Sequence, residues 1–550
     1  MPASPDQSAQ TRGAVERLDQ VVETALERGR LLTHDGREID AHQAHCERLA
    51  YLATEVAACA ALADYADSAG DNDAHAGEAA AIFTAMVASR ARALLAAYPD
   101  ELGASSRLLD ATVDQPGMRD FIRAGLADRR IEALGRDIVD RRGTPDSYLA
   151  GDEERLTRET VRSFARSEVA PIAQQIHLND DLVPESIIAK MAELGFFGLA
   201  IPDAYGGQGM GNVAMILTTE ELSAASLAAA GSLITRPEIL TKALLAGGTE
   251  AQKRAWLPRI ASGELMVAIS VTEPDTGSDV ASVKLRAERG ALGAASGYFL
   301  SGSKAWCTFA GRANIFAMLA RTDPDPGKGA KGLSLFIVPK DTFPGHEFVM
   351  RQKVGDLDGG TIQGKADRTP GYRGMHSFTM QIDRYFVPEE NLVGGEGRGF
   401  YLQMSGFAAG RLQTGGRATG LAQAALEAAA GYAGERKQFG QPIGRYSLTQ
   451  NKLGRMAVEI AAARQLTYRA ARALDQDEKR SLEPAMAKLF ACDVAVRTTQ
   501  EAQLVHGGWG FAEEFPVCRY VLDALVLPIF EGVKPILELK VIARSLLSAQ

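Results

Sequence analysis

Val267-Ala268-Ile269-Ser270-Val271-Thr272-Glu273 is the stretch at which the chain changes its period. From here short β-rich runs, Tyr298–Thr308, Ile315–Arg321, Gly332–Val338 and Phe378–Val387, are separated by Gly, Pro, Asp and Lys turns, the pattern of an antiparallel sheet. Upstream the period is helical, from Leu156–Ala173 with breaks to Gly263. Further upstream, Val15, Leu18, Val21, Val22, Ala25 and Leu26 keep helical spacing, and Ala-rich stretches follow at Thr54–Ala66 and Gly77–Ala97. The cluster Gly143-Thr144-Pro145-Asp146 reads as a turn and a boundary. Downstream, helices return from Gly395, with Leu453, Met456, Ala457 and Ile460 on one apolar face and Met486, Leu489, Phe490 and Val494 on another. The expected protein is mainly α with a central antiparallel β domain. Its parts are an N-terminal helical extension (1–148), a helical domain (149–266), the β domain (267–393) and a C-terminal helical bundle (394–550).

That order disfavours an α/β dehydrogenase, in which strands and helices alternate. It also decides the glycine motif Tyr205-Gly206-Gly207-Gln208-Gly209-Met210-Gly211. No βαβ unit surrounds it and its spacing is not GxGxxG, so it reads as a tight turn between helices.

The 550 residues are 46% hydrophobic and 23% charged, the ordinary globular mixture. A formal net charge of −9 argues against nucleic acid or an anionic membrane surface as partner. No apolar run approaches a membrane span of about 18 residues, and Met1 to Gln20 has no apolar signal region. The five cysteines, Cys46, Cys59, Cys307, Cys492 and Cys518, are scattered and lack a CxxC pair, so they read as reduced thiols of a cytoplasmic protein. His42-x-x-His45-Cys46 has ligand-like spacing but no partner pair nearby, and is expected on an exposed helical face, with no metal.

Six blocks carry a resemblance: Ile201-Pro202-Asp203-Ala204-Tyr205-Gly206-Gly207, Val271-Thr272-Glu273-Pro274-Asp275-Thr276-Gly277-Ser278-Asp279, Lys304-Ala305-Trp306-Cys307-Thr308, Glu435-Arg436-Lys437-Gln438-Phe439-Gly440, His506-Gly507-Gly508-Trp509-Gly510-Phe511 and Phe530-Glu531-Gly532. In this order they resemble the acyl-CoA dehydrogenase family, FAD enzymes that oxidise acyl-CoA thioesters to 2,3-enoyl-CoA. The resemblance covers about residues 150–550 and implies a helical domain, a β-barrel-like domain and a C-terminal four-helix bundle.

A flavin needs polar contacts at its pyrimidine edge and an apolar wall at the other end. By resemblance Ile269, Val271, Thr272, Gly277 and Ser278 line it, Trp306 packs on its ring, and Cys307 and Thr308 complete that strand, with Thr308 near N5. Taken alone, Trp306 reads equally as a core aromatic. Arg436, alone a solvated helix end, is implied to reach the pyrophosphate of a neighbouring subunit's FAD, a task suited to a bidentate, permanently charged guanidinium. Gln438, Phe439, Ser447, Leu504, His506, Gly507, Gly508 and Val533 are implied in the same cofactor site. Leu504 and Ser447 stand where the family has glutamine, and Val533 where it has threonine.

Glu531 is the implied catalytic base, since removing the α-proton of a thioester needs a carboxylate in a dry pocket. Leu525 to Phe530 supply apolar neighbours, and Gly532 allows close approach of the thioester. Read without the resemblance, Glu531 is a buried acid paired with Lys or Arg. Some members place the base before the arginine equivalent to Arg411, but Phe407-Ala408-Ala409-Gly410-Arg411 contains no acid. By the same resemblance Arg411 is implied as a contact to the pantetheine of CoA, and Ser278 as a contact to the flavin pyrophosphate or the substrate. The extension, the long segment Val354–Met375 and Glu531-Gly532-Val533-Lys534-Pro535-Ile536 point within the family to a dicarboxylic acyl-CoA. A buried substrate carboxylate needs a cation, and Arg236 is the only charged side chain between Glu221 and Glu238. The alternative is that Arg236 ends a helix before Pro237 and faces solvent, with Lys or His of Val354–His376 supplying the charge. A medium- or branched-chain acyl-CoA dehydrogenase and an acyl-CoA oxidase remain alternatives. The expected partners are electron-transfer flavoprotein as acceptor and a second copy of the chain, as a homodimer.

Overall fold

The computed structural model describes residues 5–70, 73–145, 148–149 and 151–548, so Asp146 of the expected boundary turn lies outside the described residues. The chain forms two compact units, Met1–Thr160 with Thr414–Gln550, and Val161–Gln413.

In the first unit the extension folds as helices Pro5–Thr33, Gln43–Ala69, Ala76–Ala97 and Asp128–Asp140, with shorter helices between the last two. Val15, Leu18, Val21, Ala25 and Leu26 are buried as their spacing predicts. The extension is part of the same body as the C-terminal helices. A Cβ on Gly135 would lie 1.7 Å from the Gln450 carbonyl oxygen, and one on Gly454 2.4 Å from that of Ile131. Helix Asp128–Asp140 therefore meets helix Ser447–Gln476 backbone to backbone, which only glycine permits. Side chains of the C-terminal helices also satisfy extension carbonyls: Gln423 Nε2 donates to Gly143 at 2.9 Å and Gln465 Nε2 to Tyr148 at 3.1 Å.

Two expectations for the extension are corrected. Helices Gln43–Ala69 and Ala76–Ala97 are long and apolar enough to cross a membrane, but 72% and 67% of their most apolar windows are buried within the protein. Their composition is that of core helices. His45 and Cys46 are buried, not on an exposed face. Gly29 lets helix Pro5–Thr33 close over them: a Cβ there would sit 2.6 Å from Leu49 and 3.4 Å from His45 Nε2. Burial lowers the pKa of His45 and raises that of Cys46 to about 11. All five cysteines are free.

The second unit joins helices to a nine-stranded sheet. Its strands are β1 (Val267–Ser270), β2 (Arg286–Leu292), β3 (Ala295–Thr308), β4 (Ile315–Arg321), β5 (Leu333–Pro339), β6 (Glu347–Val354), β7 (Leu357–Ala366), β8 (Ser377–Pro388) and β9 (Leu392–Val393). They run β6-β7-β8-β3-β2-β4-β5-β9, with β1 on β4. The pairing is antiparallel except that β1 and one end of β2 lie parallel to β4. Phe316, Phe336, Phe378 and Tyr385 fill the space beside it. The stretch Val354–Met375 contains the return strand of the β6–β7 hairpin, and the loop after it buries Tyr372 and Met375. The glycine motif is a turn leading into helix Gly211–Ala225, as expected. There a Cβ on Gly207 would overlap the Ile201 carbonyl at 2.0 Å.

Candidate active site

In the second unit, the loop after β1 is fixed from below by charge. Glu273 accepts the backbone N–H groups of Lys284 and Leu285 at 2.8 Å each and the Lys304 ammonium at 3.1 Å. Lys304 is fully buried, donates also to the Val271 carbonyl at 2.8 Å, and burial lowers its pKa to about 8. Thr272 accepts the Ala305 N–H through its carbonyl, tying the loop to β3, while Gly277 and Ser278 are exposed. Along β3 the side chains alternate. Trp306 is 59% exposed with φ +55°, so it is no core aromatic. Cys307 faces inward, its Sγ 3.3 Å from the Ile269 carbonyl, and burial raises the thiol to about 12. Thr308 is nearly buried, its hydroxyl 2.9 Å from that of Ser377. The unit thus offers an exposed indole beside a nearly buried hydroxyl.

Next to Ser377 is His376, the histidine of the Val354–His376 stretch named as an alternative source of charge; the partners it meets had no signal in the sequence. His376 is buried with φ +42°, its Nε2 is 3.0 Å from Asp180 Oδ1, and its ring is centred 4.3 Å from that of His346. The Arg373 guanidinium also reaches Asp180 at 3.2 Å, so that carboxylate already carries a counter-charge. His376 and Asp180 lie 196 positions apart in sequence, and their meeting has no local signal.

Arg236 is buried at 4% exposure, so it is not the solvent-facing helix end that was one of its two readings. Its Nη1 donates to the Ser232 carbonyl at 2.9 Å. Thr235 donates to Gln413 at 2.8 Å, Gln413 donates to Glu238, and all of these side chains are buried. Arg411 is half-buried on helix Gly399–Glu435.

In the first unit, an open cleft of about 540 Å³ collects five expected cofactor residues: Arg436, Gln438, His506, Gly507 and Gly508. Arg436 follows the end of helix Gly399–Glu435 and is exposed. His506 is buried, stacks on Tyr432 at 4.3 Å and bonds the Ala502 carbonyl at 2.8 Å; burial lowers its pKa. A Cβ at Gly507 or Gly508 would meet nothing within 4 Å, so their backbone faces open space. A guanidinium beside bare backbone suits a phosphate-bearing ligand. Phe439 (95% exposed, at the tip of the hairpin Lys437–Pro442), Ser447, Leu504 and Val533 do not line this cleft.

Glu531 sits in a turn of the same unit with φ +54°, followed by Gly532 at +100°. A left-handed non-glycine residue costs about 1 kcal/mol or more and must be held by its surroundings. Lys488 Nζ donates to the Gly532 carbonyl at 2.7 Å, and Lys534 N to that of Pro528 at 2.9 Å. The Arg417 guanidinium lies 4.5 Å over the Phe530 ring. Of the expected apolar neighbours, Leu527 is buried, but Leu525 and Ile529 are 43% and 61% exposed. The Glu531 turn and the exposed indole are therefore carried by different units.

Three family models match the chain: acyl-CoA dehydrogenase N-terminal domain over residues 151–264, middle domain over 268–384 and C-terminal domain over 397–547. A relative from Cereibacter sphaeroides, (2S)-methylsuccinyl-CoA dehydrogenase, is 41% identical over 452 residues, covering 80% of this chain and 79% of that protein. Butyryl-CoA dehydrogenase from Megasphaera elsdenii superposes with TM-score 0.65 at 30% identity, covering 72% of this chain and 98% of that one. A glutaryl-CoA dehydrogenase from Mycobacterium smegmatis, solved with FADH2, gives TM-score 0.62 at 25% identity, covering 72% and 94%.

Proposed function

Because the chain belongs to the acyl-CoA dehydrogenase family, we propose that it converts (2S)-methylsuccinyl-CoA to mesaconyl-CoA with Glu531 as the base. The protein is an oxidoreductase acting on a CH–CH bond, and its cofactor is FAD. The observation that carries the choice of base is the turn itself: a glutamate with left-handed backbone beside a glycine, in a turn whose Gly532 carbonyl accepts the Lys488 ammonium and whose Pro528 carbonyl accepts the Lys534 backbone N–H. The choice of substrate rests on the Cereibacter sphaeroides relative, with which similarity extends over 80% of the chain.

FAD, when bound, supplies the two-electron acceptor for the β-hydrogen of the thioester. The residues fit such a group: Trp306 presents an exposed aromatic face, Thr308 a hydroxyl, and the Arg436 cleft an anion site with bare backbone. Glu531 takes the α-proton on its carboxylate as the Cα–H bond breaks; the Cβ–H bond breaks with its electron pair leaving as hydride, and the Cα–Cβ double bond forms. Gly532 leaves room for the thioester beside that carboxylate. Arg236, already buried, offers its guanidinium to the second carboxylate of a dicarboxylic substrate.

Electron-transfer flavoprotein is the proposed acceptor and a second copy of the chain the proposed partner. Phe439, Leu504, Trp509 and Phe511 of the first unit are 95%, 67%, 51% and 82% exposed, an apolar surface that a homodimer buries. Sedimentation should give a dimer, and a stable tetramer contradicts it.

The test is anaerobic mixing of the yellow protein with a panel of acyl-CoAs: the methylsuccinyl thioester should bleach the flavin fastest. Preference for an uncharged acyl group overturns the substrate assignment, and rapid oxygen uptake makes the enzyme an oxidase. Glu531→Gln should fold and keep FAD but lose roughly 10²-fold or more in turnover. A yellow variant with near-normal activity removes Glu531 from the mechanism.

A further inference from the structure

Tyr51 lies on helix Gln43–Ala69 of the extension, outside all three matched family domains, yet its hydroxyl ends in the group that holds the Glu531 turn. Its Oη donates to Asp493 Oδ2 at 2.8 Å. The same oxygen accepts the Lys534 ammonium at 2.6 Å, and that ammonium lies 5.1 Å from the Tyr51 ring centre. Lys534 is three residues from Glu531, and its backbone N–H closes the turn onto Pro528. Lys488, on the same helix as Asp493, holds the Gly532 carbonyl from the other side. Glu538, at 3.9 Å from Lys534, and Arg497, beside Tyr51, add to the charged surroundings, with Glu47, Glu55 and Glu459 further out.

The arrangement answers a physical need. Glu531 and Gly532 both have positive φ, a conformation the turn does not keep unaided. Lys488 reaches the Gly532 carbonyl through its ammonium and Lys534 the Pro528 carbonyl through its backbone N–H. A lysine side chain has four rotatable bonds, so it ties down the backbone it springs from only where its ammonium is itself held. For Lys534 that fixing comes from Asp493, whose acceptor oxygen is oriented in turn by Tyr51. An aromatic side chain with two torsions, mounted on a buried helix, is a stiffer anchor than either lysine.

We propose that Tyr51 is a positioning residue for Glu531, acting through Asp493 and Lys534, so that the extension is a working part of the catalytic site. The proposal rests on the reading of Glu531 as the base and deepens it.

The experiment uses the full-length, FAD-loaded protein. Tyr51→Phe removes the hydroxyl and keeps the ring against Lys534. The limiting rate of anaerobic flavin bleaching by methylsuccinyl-CoA, counted per bound FAD, should fall about threefold or more. KM should stay within about twofold and FAD content should not change. Asp493→Asn should show the same pattern. The double variant should be no slower than the slower single one, because both substitutions break one chain of contacts.

A wild-type bleaching rate in Tyr51→Phe overturns the proposal. So do multiplying effects in the double variant, and so does a change confined to KM or melting temperature, which is what a merely structural tyrosine produces. If Tyr51→Phe does not fold, Asp493→Asn measured alone decides: an unchanged bleaching rate overturns the assignment and a slower one at constant KM supports it. Glu531→Gln in the same assay separates the two readings. If it bleaches normally, the base assignment fails and this inference with it. If it is inactive while Tyr51→Phe is normal, only the role of Tyr51 fails.

Discussion

Lys304 Nζ lies 3.1 Å from Glu273 Oε1, and neither side chain is more than 4% exposed. The pair joins β3 to the loop after β1, so it fixes the loop Thr272–Ser278 relative to Trp306 and Thr308. Removing one member of a buried pair leaves the other without a counter-charge, at a cost of about 3 kcal/mol or more. Lys304→Met should therefore lower the melting temperature clearly and reduce the FAD retained on purification. Two backbone N–H groups still reach Glu273 in the variant, so the loss should fall at the lower end of that range. Unchanged melting and full FAD content would show that the two backbone donors suffice.

Arg436 supplies the exposed guanidinium of the cleft that also contains Gly507 and Gly508. A charge-assisted bond to phosphate is worth about 1.5–3 kcal/mol. Arg436→Gln should thus weaken FAD binding roughly ten- to hundredfold, measured by titrating apoprotein with FAD. Raising ionic strength should weaken the wild-type protein more than the variant, since only the former has the charge to screen. Equal affinities would remove Arg436 from the cofactor site.

Burial raises the Glu538 carboxyl to about 7, against the opposing pull of Lys534. Its folded pKa lies above the unfolded value, so the folded state binds the extra proton. The resulting stabilisation is fully present below about pH 4.5 and is lost as pH rises through about 7. Glu538→Gln cannot titrate, and its melting temperature should fall less than that of the wild type between about pH 5 and 8. Parallel curves would show that another group governs this range.

What the sequence disclosed was what is local. Glu531-Gly532, Trp306 with its outward neighbours, and the glycines of the Arg436 cleft are adjacent or nearly adjacent in the chain, so short blocks display them. Strand β6 was not foreseen, because Arg351 and Lys353 on a half-exposed hairpin break the apolar alternation that marks a buried strand. Helices Gln43–Ala69 and Ala76–Ala97 fooled the expectation of an exposed His45 because they are covered on several sides, which leaves no polar face to orient them. The holding groups were invisible for a different reason. Tyr51 meets Asp493 across 442 residues and Lys304 meets Glu273 across 31, and one sequence carries no record of such pairs.

Arg236 is where burial sharpens an open question. It is 4% exposed, on helix Thr235–Gly247, and its Nη1 donates to the Ser232 carbonyl one turn earlier. A buried guanidinium is costly unless its donors and its charge are answered. Glu238 lies two positions on and is equally buried, but its carboxylate is engaged by Gln413, which also accepts from Thr235. A substrate carboxylate of a dicarboxylic acyl-CoA would add a negative charge beside this guanidinium, and an uncharged acyl chain would not. Arg236→Leu should consequently lose most activity on methylsuccinyl-CoA, by roughly tenfold or more in kcat/KM for one lost charge-assisted contact. Relative activity on an uncharged acyl-CoA of similar length should rise, because leucine extends the apolar surface. The ratio of the two kcat/KM values is the measurement, since general damage to the fold lowers both alike. If both substrates change by the same factor, Arg236 serves the helix and not the substrate.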